Sequence, residues 1–215
     1  MKYEWRKQDK ELYIPKTTPV ITTIPSMNYV LIHGEGNPNS EAFSTCVGAL
    51  YAISYGVKMT LKKEKDVPNY TDYTVFPLEG EWRLTKAGIK RYNAGTPITE
   101  LKDYFSFVVM IRQPEFVSKE YVEHIKQSIF TKKKNEKVLE VSFETLPETK
   151  VCQMLHLGSY DSEPESFRIM EEYCQMNGYQ RASKKHIEIY LSDPSKVETS
   201  KLKTTLRFHI ESQPQ

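Results

Sequence analysis

The segment Lys185-His186-Ile187-Glu188-Ile189-Tyr190 holds the residues best placed to do chemistry. Alternate side chains of a strand share a face, so His186, Glu188 and Tyr190 point one way and Ile187 and Ile189 the other. Glu188 and Tyr190 then stand roughly 7 Å apart along the chain at about 3.4 Å per residue, a spacing that can bracket a small reacting group. A carboxylate there can activate water, and a phenol can position a substrate or donate a proton to it. An ionised carboxylate beside aromatic rings can equally neutralise a ligand cation, each cation–ring contact contributing roughly 0.5–2 kcal/mol. The Ile side is expected to meet helices and the Glu–Tyr side to face a groove. A half-solvated strand, apolar inside and polar outside, gives the same alternation.

Three other residues compete for a place at such a site. In Phe76-Pro77-Leu78-Glu79-Gly80-Glu81-Trp82, Glu79 either lines a pocket or is a bulge residue beside Gly80, and Trp82 is either pocket lining or core. Tyr104, at the start of an aromatic and β-branched run to Arg112, offers a further ring face. Other chemistries find no footing. The sequence has no GxSxG, no P-loop and no GxGxxG following a strand. His33-Gly34-Glu35-Gly36 is too short for a phosphate cradle and reads as a turn, and His33 and His156 read as structural. Cys46, Cys152 and Cys174 are odd in number, lack a CxxC and sit in apolar periodic segments. They read as buried reduced thiols with no metal-ligand spacing to a histidine, so neither metal nor cofactor is expected.

The bulk composition narrows the classes further. The chain has 215 residues, 39% hydrophobic and 27% charged, which suits a globular domain. Its net charge is +2, from 30 basic and 28 acidic residues, without the cationic excess of a general nucleic-acid binder. The N-terminus is charged where a signal peptide would be apolar, and no stretch approaches the roughly 20 apolar residues of a membrane span. A cytoplasmic protein without a nucleic-acid or membrane partner is expected.

The elements that must position these residues repeat. The first series is strand, turn, helix, strand, strand, at 20–33, 39–56, 73–82 and 104–112. The second is the same at 149–157, 163–177, 185–191 and 203–211, preceded by a strand at 138–146. In the first helix Phe43, Cys46, Val47, Leu50, Ile53 and Val57 recur at steps of three and four, with Gly56 as its stop. In the second, Phe167, Met170, Tyr173 and Cys174 form the buried face, with Ser162 and Glu165 as a capping box and Gly178 as the stop. A helix over 118–133, capped by Ser118, links pseudo-repeats at about 20–116 and 138–211. Its closing Lys132-Lys133-Lys134 suits a helix C-terminus. Residues 60–72 read as a charged loop or hairpin arm, 86–102 as an irregular excursion and 1–18 as an N-terminal extension before the domain at 19–211. The expected fold is α+β: duplicated strand-helix-strand-strand units forming a pseudo-two-fold antiparallel sheet arrangement, with helices on one face and a central ligand cleft.

His186-Ile-Glu-Ile-Tyr-Leu-Ser-Asp-Pro194, followed by Lys201-Leu-Lys-Thr-Thr-Leu-Arg207, resembles the C-terminal signature of the GyrI-like small-molecule-binding family. That signature is a Glu-x-Tyr strand, a Ser-Asp-Pro turn and a strand with Leu-Arg. Phe76-Pro-Leu-Glu-Gly-Glu-Trp82 resembles the family's Pro-Leu-Glu-Gly-x-Trp segment. The likeness spans about residues 20–211 and departs from the pattern at Phe208-His209, where proline is common. It implies a duplicated effector-binding fold whose pocket contains a buried acid, here Glu188 or Glu79, with Trp82, Tyr104, Tyr190 and His186 around the ligand. The implied function is to bind hydrophobic, often planar and cationic, small molecules. The alternative is hydrolysis of strained cyclopropane rings by Glu188 and Tyr190, and the remotest is inhibition of a gyrase partner. Nothing before residue 20 resembles a helix-turn-helix.

Overall fold

The computed structural model describes residues 2–64 and 67–214. Two short helical turns, α1 (Trp5–Gln8) and α2 (Lys10–Tyr13), precede β1 (Val20–Ile24) and β2 (Met27–Glu35), with Pro25 between the two strands. Then come α3 (Glu41–Leu61), β3 (Leu78–Leu84), α4 (Lys86–Asn93), β4 (Phe105–Gln113) and α5 (Lys119–Lys133). The second half holds β5 (Ser142–Leu146), β6 (Thr149–Leu157), α6 (Glu163–Met176), β7 (Tyr179–Arg181), β8 (His186–Tyr190) and β9 (Lys203–Ser212).

Among the described residues these strands form one nine-stranded antiparallel sheet in the order β1-β6-β9-β8-β3-β4-β2-β5, with β7 pairing β9. The halves interlock: β1, from the first, pairs with β6, and β5, which leads into the second, pairs with β2. They also join at the centre through β3 and β8, where Gly80 lies opposite Glu188 and Trp82 opposite His186. This register assigns every strand residue to one of two faces.

One face carries Phe107, Val109 and Ile111 of β4, Gly80 and Trp82 of β3, His186, Glu188 and Tyr190 of β8, and Leu206 and Phe208 of β9. Helices α3 and α6 pack here. Ser40 caps α3 by accepting from the Phe43 amide, and Leu50, Ile53 and Val57 are fully buried. Each such side chain contributes roughly 1.5–3 kcal/mol relative to exposure. Met170 and Cys174 of α6 close over Cys152, Leu206 and Phe208. The opposite face carries Glu79, Glu81, Met110, Ile187, Ile189, Thr205 and Arg207. The N-terminal segment lies against it. The Tyr13 carbonyl accepts from Thr205 Oγ1 (2.7 Å), the Leu12 carbonyl from Arg207 Nη2 (2.7 Å) and the Glu11 carbonyl from Gln153 Nε2 (2.8 Å).

Several sequence expectations are corrected. Ile187 and Ile189 do not face α3 and α6; the Glu188–Tyr190 side does. The alternation misled because both faces of β8 are covered, one by helices and one by the N-terminal segment, so polarity did not mark the solvent side. Helix α3 runs past Gly56 to Leu61, because Gly56 serves packing: a Cβ there would stand 2.8 Å from Ile125 of α5. The 86–102 excursion contains α4, capped by Thr85 through the Gly88 amide. The strand expected from 138 begins at Ser142, after a 3-10 turn over Glu136–Glu140. The Ser162–Glu165 capping box does not form. Ser162 Oγ donates to the Ser159 carbonyl (2.7 Å), and Glu165 pairs with Arg168.

Candidate functional site

Strands β3 and β8 lie side by side between α3 and α6, and the side chains that rise from them there form a connected polar chain. Trp82 Nε1 donates to the Tyr190 hydroxyl (2.8 Å), Tyr190 donates to Glu188 Oε2 (2.9 Å), and His186 Nε2 donates to Glu188 Oε1 (2.9 Å). Gly80 makes this possible. A Cβ at that position would lie 2.7 Å from Trp82 Nε1 and 3.1 Å from the Tyr190 hydroxyl oxygen. The walls are aromatic. Phe43 of α3 stands 5.5 Å from Trp82, Phe167 of α6 stands 4.8 Å from His186, and Tyr160, ahead of α6, meets Tyr190 edge-on at 6.2 Å.

Glu163 is not among the residues expected from the sequence. It opens α6, is 6% exposed and places a carboxylate oxygen within 4.8 Å of Glu188 and His186, while its Oε1 has no hydrogen-bond partner among the described residues. Burial, and after it the neighbouring Glu188, raise its pKa well above the usual carboxylate range. Burial therefore favours the protonated form of Glu163. A signal for it was present: Glu163, Phe167, Met170 and Cys174 recur at steps of three and four, so an acid occupies the first position of a buried face. Tyr190 is held as a phenol, its pKa raised well above normal by burial and by Glu188, with Trp82 opposing. Tyr160 is pushed up to about 12, chiefly by burial.

Glu163, His186 and Glu188 each place a ligating atom within 4.8 Å of the others, so the same cluster has the composition to hold a metal ion. The raised pKa of Glu163 favours a proton in that position, since a metal needs both carboxylates ionised.

Of the residues expected at the site, Glu188, Tyr190, His186 and Trp82 come together. Tyr104 does not join them: its ring lies under the Arg91 guanidinium (4.7 Å) and packs by Gly88 of α4. Glu79 is separated as well. It lies opposite Ile189 in the β3–β8 register, one residue out of phase with Glu188, and so points to the other face.

No curated protein matches the chain. Among solved structures, a hydrolase from Listeria innocua is 30% identical, with a TM-score of 0.86, and the match covers 98% of this chain and 100% of its own. An uncharacterized conserved protein of Listeria innocua, also 30% identical, matches with a TM-score of 0.86 over 97% of this chain and 100% of its own. The C-terminal domain of EcmrR, 12% identical with a TM-score of 0.53 over 91% of this chain and 98% of its own, shares the fold. The family model of the GyrI-like small-molecule-binding domain matches residues 17–211, and the chain belongs to that family.

Proposed function

We propose that the protein hydrolyses an apolar, planar small molecule bearing an electrophilic carbon, on the helix-covered face of the sheet at Glu188. The observation that carries this reading is a buried set of acids and donors on one spot: Glu188 accepts from the Tyr190 phenol and from His186, Tyr190 accepts from Trp82, and the Glu163 carboxyl stands alongside. A pure cation anchor needs only the carboxylate. The sequence puts binding first and hydrolysis second. The phenol and the second buried acid beside Glu188 favour hydrolysis, and the likeness to a protein of Listeria innocua described as a hydrolase supports it.

For a cyclopropane conjugated to a carbonyl, the step balances as follows. Glu188 takes a proton from water as the water oxygen bonds to the ring carbon. The ring C–C bond breaks, and its electron pair passes to the conjugated carbonyl oxygen. Tyr190 donates its proton to that oxygen while the Trp82 N–H stabilises the phenolate, and Glu188 then returns a proton to Tyr190. The net change is addition of one water. Apolar walls exclude bulk solvent and strengthen each of these interactions. Sequestration without turnover is the second reading, favoured by the rings of Phe43, Trp82, Tyr160 and Tyr190 around Glu188.

Mass spectrometry of planar compounds, cyclopropane-bearing ones included, incubated with wild type and with Glu188→Gln, tests both. Gain of one water with wild type alone is expected. Compounds retained unchanged by wild type and released by the variant would mean sequestration. Identical behaviour of the two proteins would move the site elsewhere.

A further inference from the structure

The first turn of α6 forms one wall of the site, and no apolar side chain of that turn is buried to hold it there. Its buried side chains are Glu163 and Ser166, and the first fully buried apolar residue of the helix is Met170. The helix also lacks a side-chain N-cap, because Ser162 Oγ donates to the Ser159 carbonyl instead (2.7 Å). A helix start with neither cap nor apolar anchor frays unless another group secures it.

His156 is that group. It is buried near the end of β6, opposite Thr204 of β9, and Thr204 lies opposite Tyr190 of β8. His156 therefore stands two strands from Tyr190 on the same face, about 10 Å away at the usual strand spacing, and does not touch the reacting groups. Its Nδ1 lies 2.9 Å from Ser166 Oγ, and its Nε2 lies 3.0 Å from the Ser159 carbonyl oxygen and 3.2 Å from Ser162 Oγ. A carbonyl can only accept, so in the neutral ring Nε2 carries the proton and Nδ1 accepts from the Ser166 hydroxyl. One imidazole thus joins β6, the turn at 158–162 and α6. The stretch it secures holds Tyr160, edge-on to Tyr190, and Glu163, beside Glu188, and Phe167 follows against His186.

We propose that His156 is a positioning residue: through Ser166 and the Ser159 carbonyl it fixes the first turn of α6, and with it Glu163 and Tyr160, against Glu188 and Tyr190. The catalytic consequence rests on the hydrolytic reading, whereas the placement does not. A wall displaced by about 1 Å can cost on the order of a hundredfold in rate.

The test compares wild type with three variants of the full chain. His156→Leu loses both bonds. His156→Asn offers a side-chain oxygen in place of Nδ1 and still accepts from Ser166. Ser166→Ala frees α6 alone and, alanine being the better helix former, decides the matter if His156→Leu does not fold. Placement is read by amide hydrogen exchange and by NMR titration of the Glu163 carboxyl carbon. In His156→Leu and Ser166→Ala the amides of residues 166–170, which bond to first-turn carbonyls, should exchange at least about tenfold faster, with residues 172–176 unchanged. The Glu163 midpoint should move down toward the ordinary 4.5, and His156→Asn should restore both. With any planar compound that wild type hydrates, kcat should fall at least about tenfold in the same two variants while KM changes less than about twofold. Unchanged exchange at 166–170, faster exchange spread over the whole chain, or an unmoved Glu163 midpoint overturns the placement. Lost placement with kcat retained overturns the role in catalysis. No hydration by wild type, with exchange and titration as expected, would sink the hydrolytic reading and leave the placement standing.

Discussion

Replacing Glu163 with glutamine removes a buried titratable group whose pKa is raised and keeps a hydrogen-bond donor of the same shape beside Glu188. Below the ordinary carboxyl value of 4.5 both folded and unfolded chains carry that proton. Between 4.5 and the raised folded value, the unfolded chain has lost it and the folded chain has kept it. The folded state then binds more protons, so this group makes stability fall as pH rises, by about 1.4 kcal/mol per pH unit. Above the folded pKa the slope from this group vanishes. From pH 5 to 7, wild type should therefore lose at most about 2.7 kcal/mol more than Glu163→Gln. At roughly 2–4 °C per kcal/mol for a chain of this size, that corresponds to about 5–10 °C in Tm. Glu79, also raised by burial, contributes the same sign in both proteins and cancels in the comparison. Urea unfolding followed by tryptophan fluorescence at several pH values reads the slope difference directly. Equal slopes in the two proteins would mean that Glu163 is ionised in the folded state, and the acid–base reading of the cleft would fall with it.

Two further outcomes follow from the same geometry. Gly80→Ala drives a Cβ to 2.7 Å from Trp82 Nε1 and so separates Trp82 from Tyr190. Overpacking of this kind costs about 1–3 kcal/mol, and turnover should fall at least about tenfold by loss of the hydrogen bond, read as kcat on a protein whose far-UV circular dichroism is unchanged. If a proton, not a cation, joins Glu163, His186 and Glu188, exhaustive dialysis against a chelator should leave turnover unaltered, and restoration of lost activity by added divalent metal would refute that view.

Much of the fold was legible because its signals are local. The 3–4 spacing of Leu50, Ile53 and Val57 marks a helix wherever it packs. The Pro25 and Gly178 punctuation survives in the structure as the β1–β2 break and a residue with φ of 78° after α6. What failed was the assignment of faces. Strand alternation says that Glu188 and Ile187 part company, but not what covers each side. Here that depended on Tyr13 and its neighbours, some 190 residues away along the chain, reaching β9. The Gly56 stop failed for a related reason, since a glycine required by Ile125 of another helix is indistinguishable locally from one that ends its own.

The candidate site was legible only along β8 and β3. Glu188, Tyr190 and Trp82 lie in segments whose pattern marks them, and the β3–β8 register brings them into contact. Glu163 comes from α6, and an acid in the first turn of a helix has an ordinary explanation in the helix dipole. Only the placement of α6 over β8 turns that acid inward, buries it and raises its pKa. Glu79 shows the converse. Its motif suggested membership of one acidic pocket, yet a shift of a single residue in pairing, Ile189 opposite Glu79 and Gly80 opposite Glu188, sends the two carboxylates to opposite faces. The two acids therefore serve separate faces of the sheet, Glu188 beside a second buried acid and a phenol and Glu79 beside Arg207.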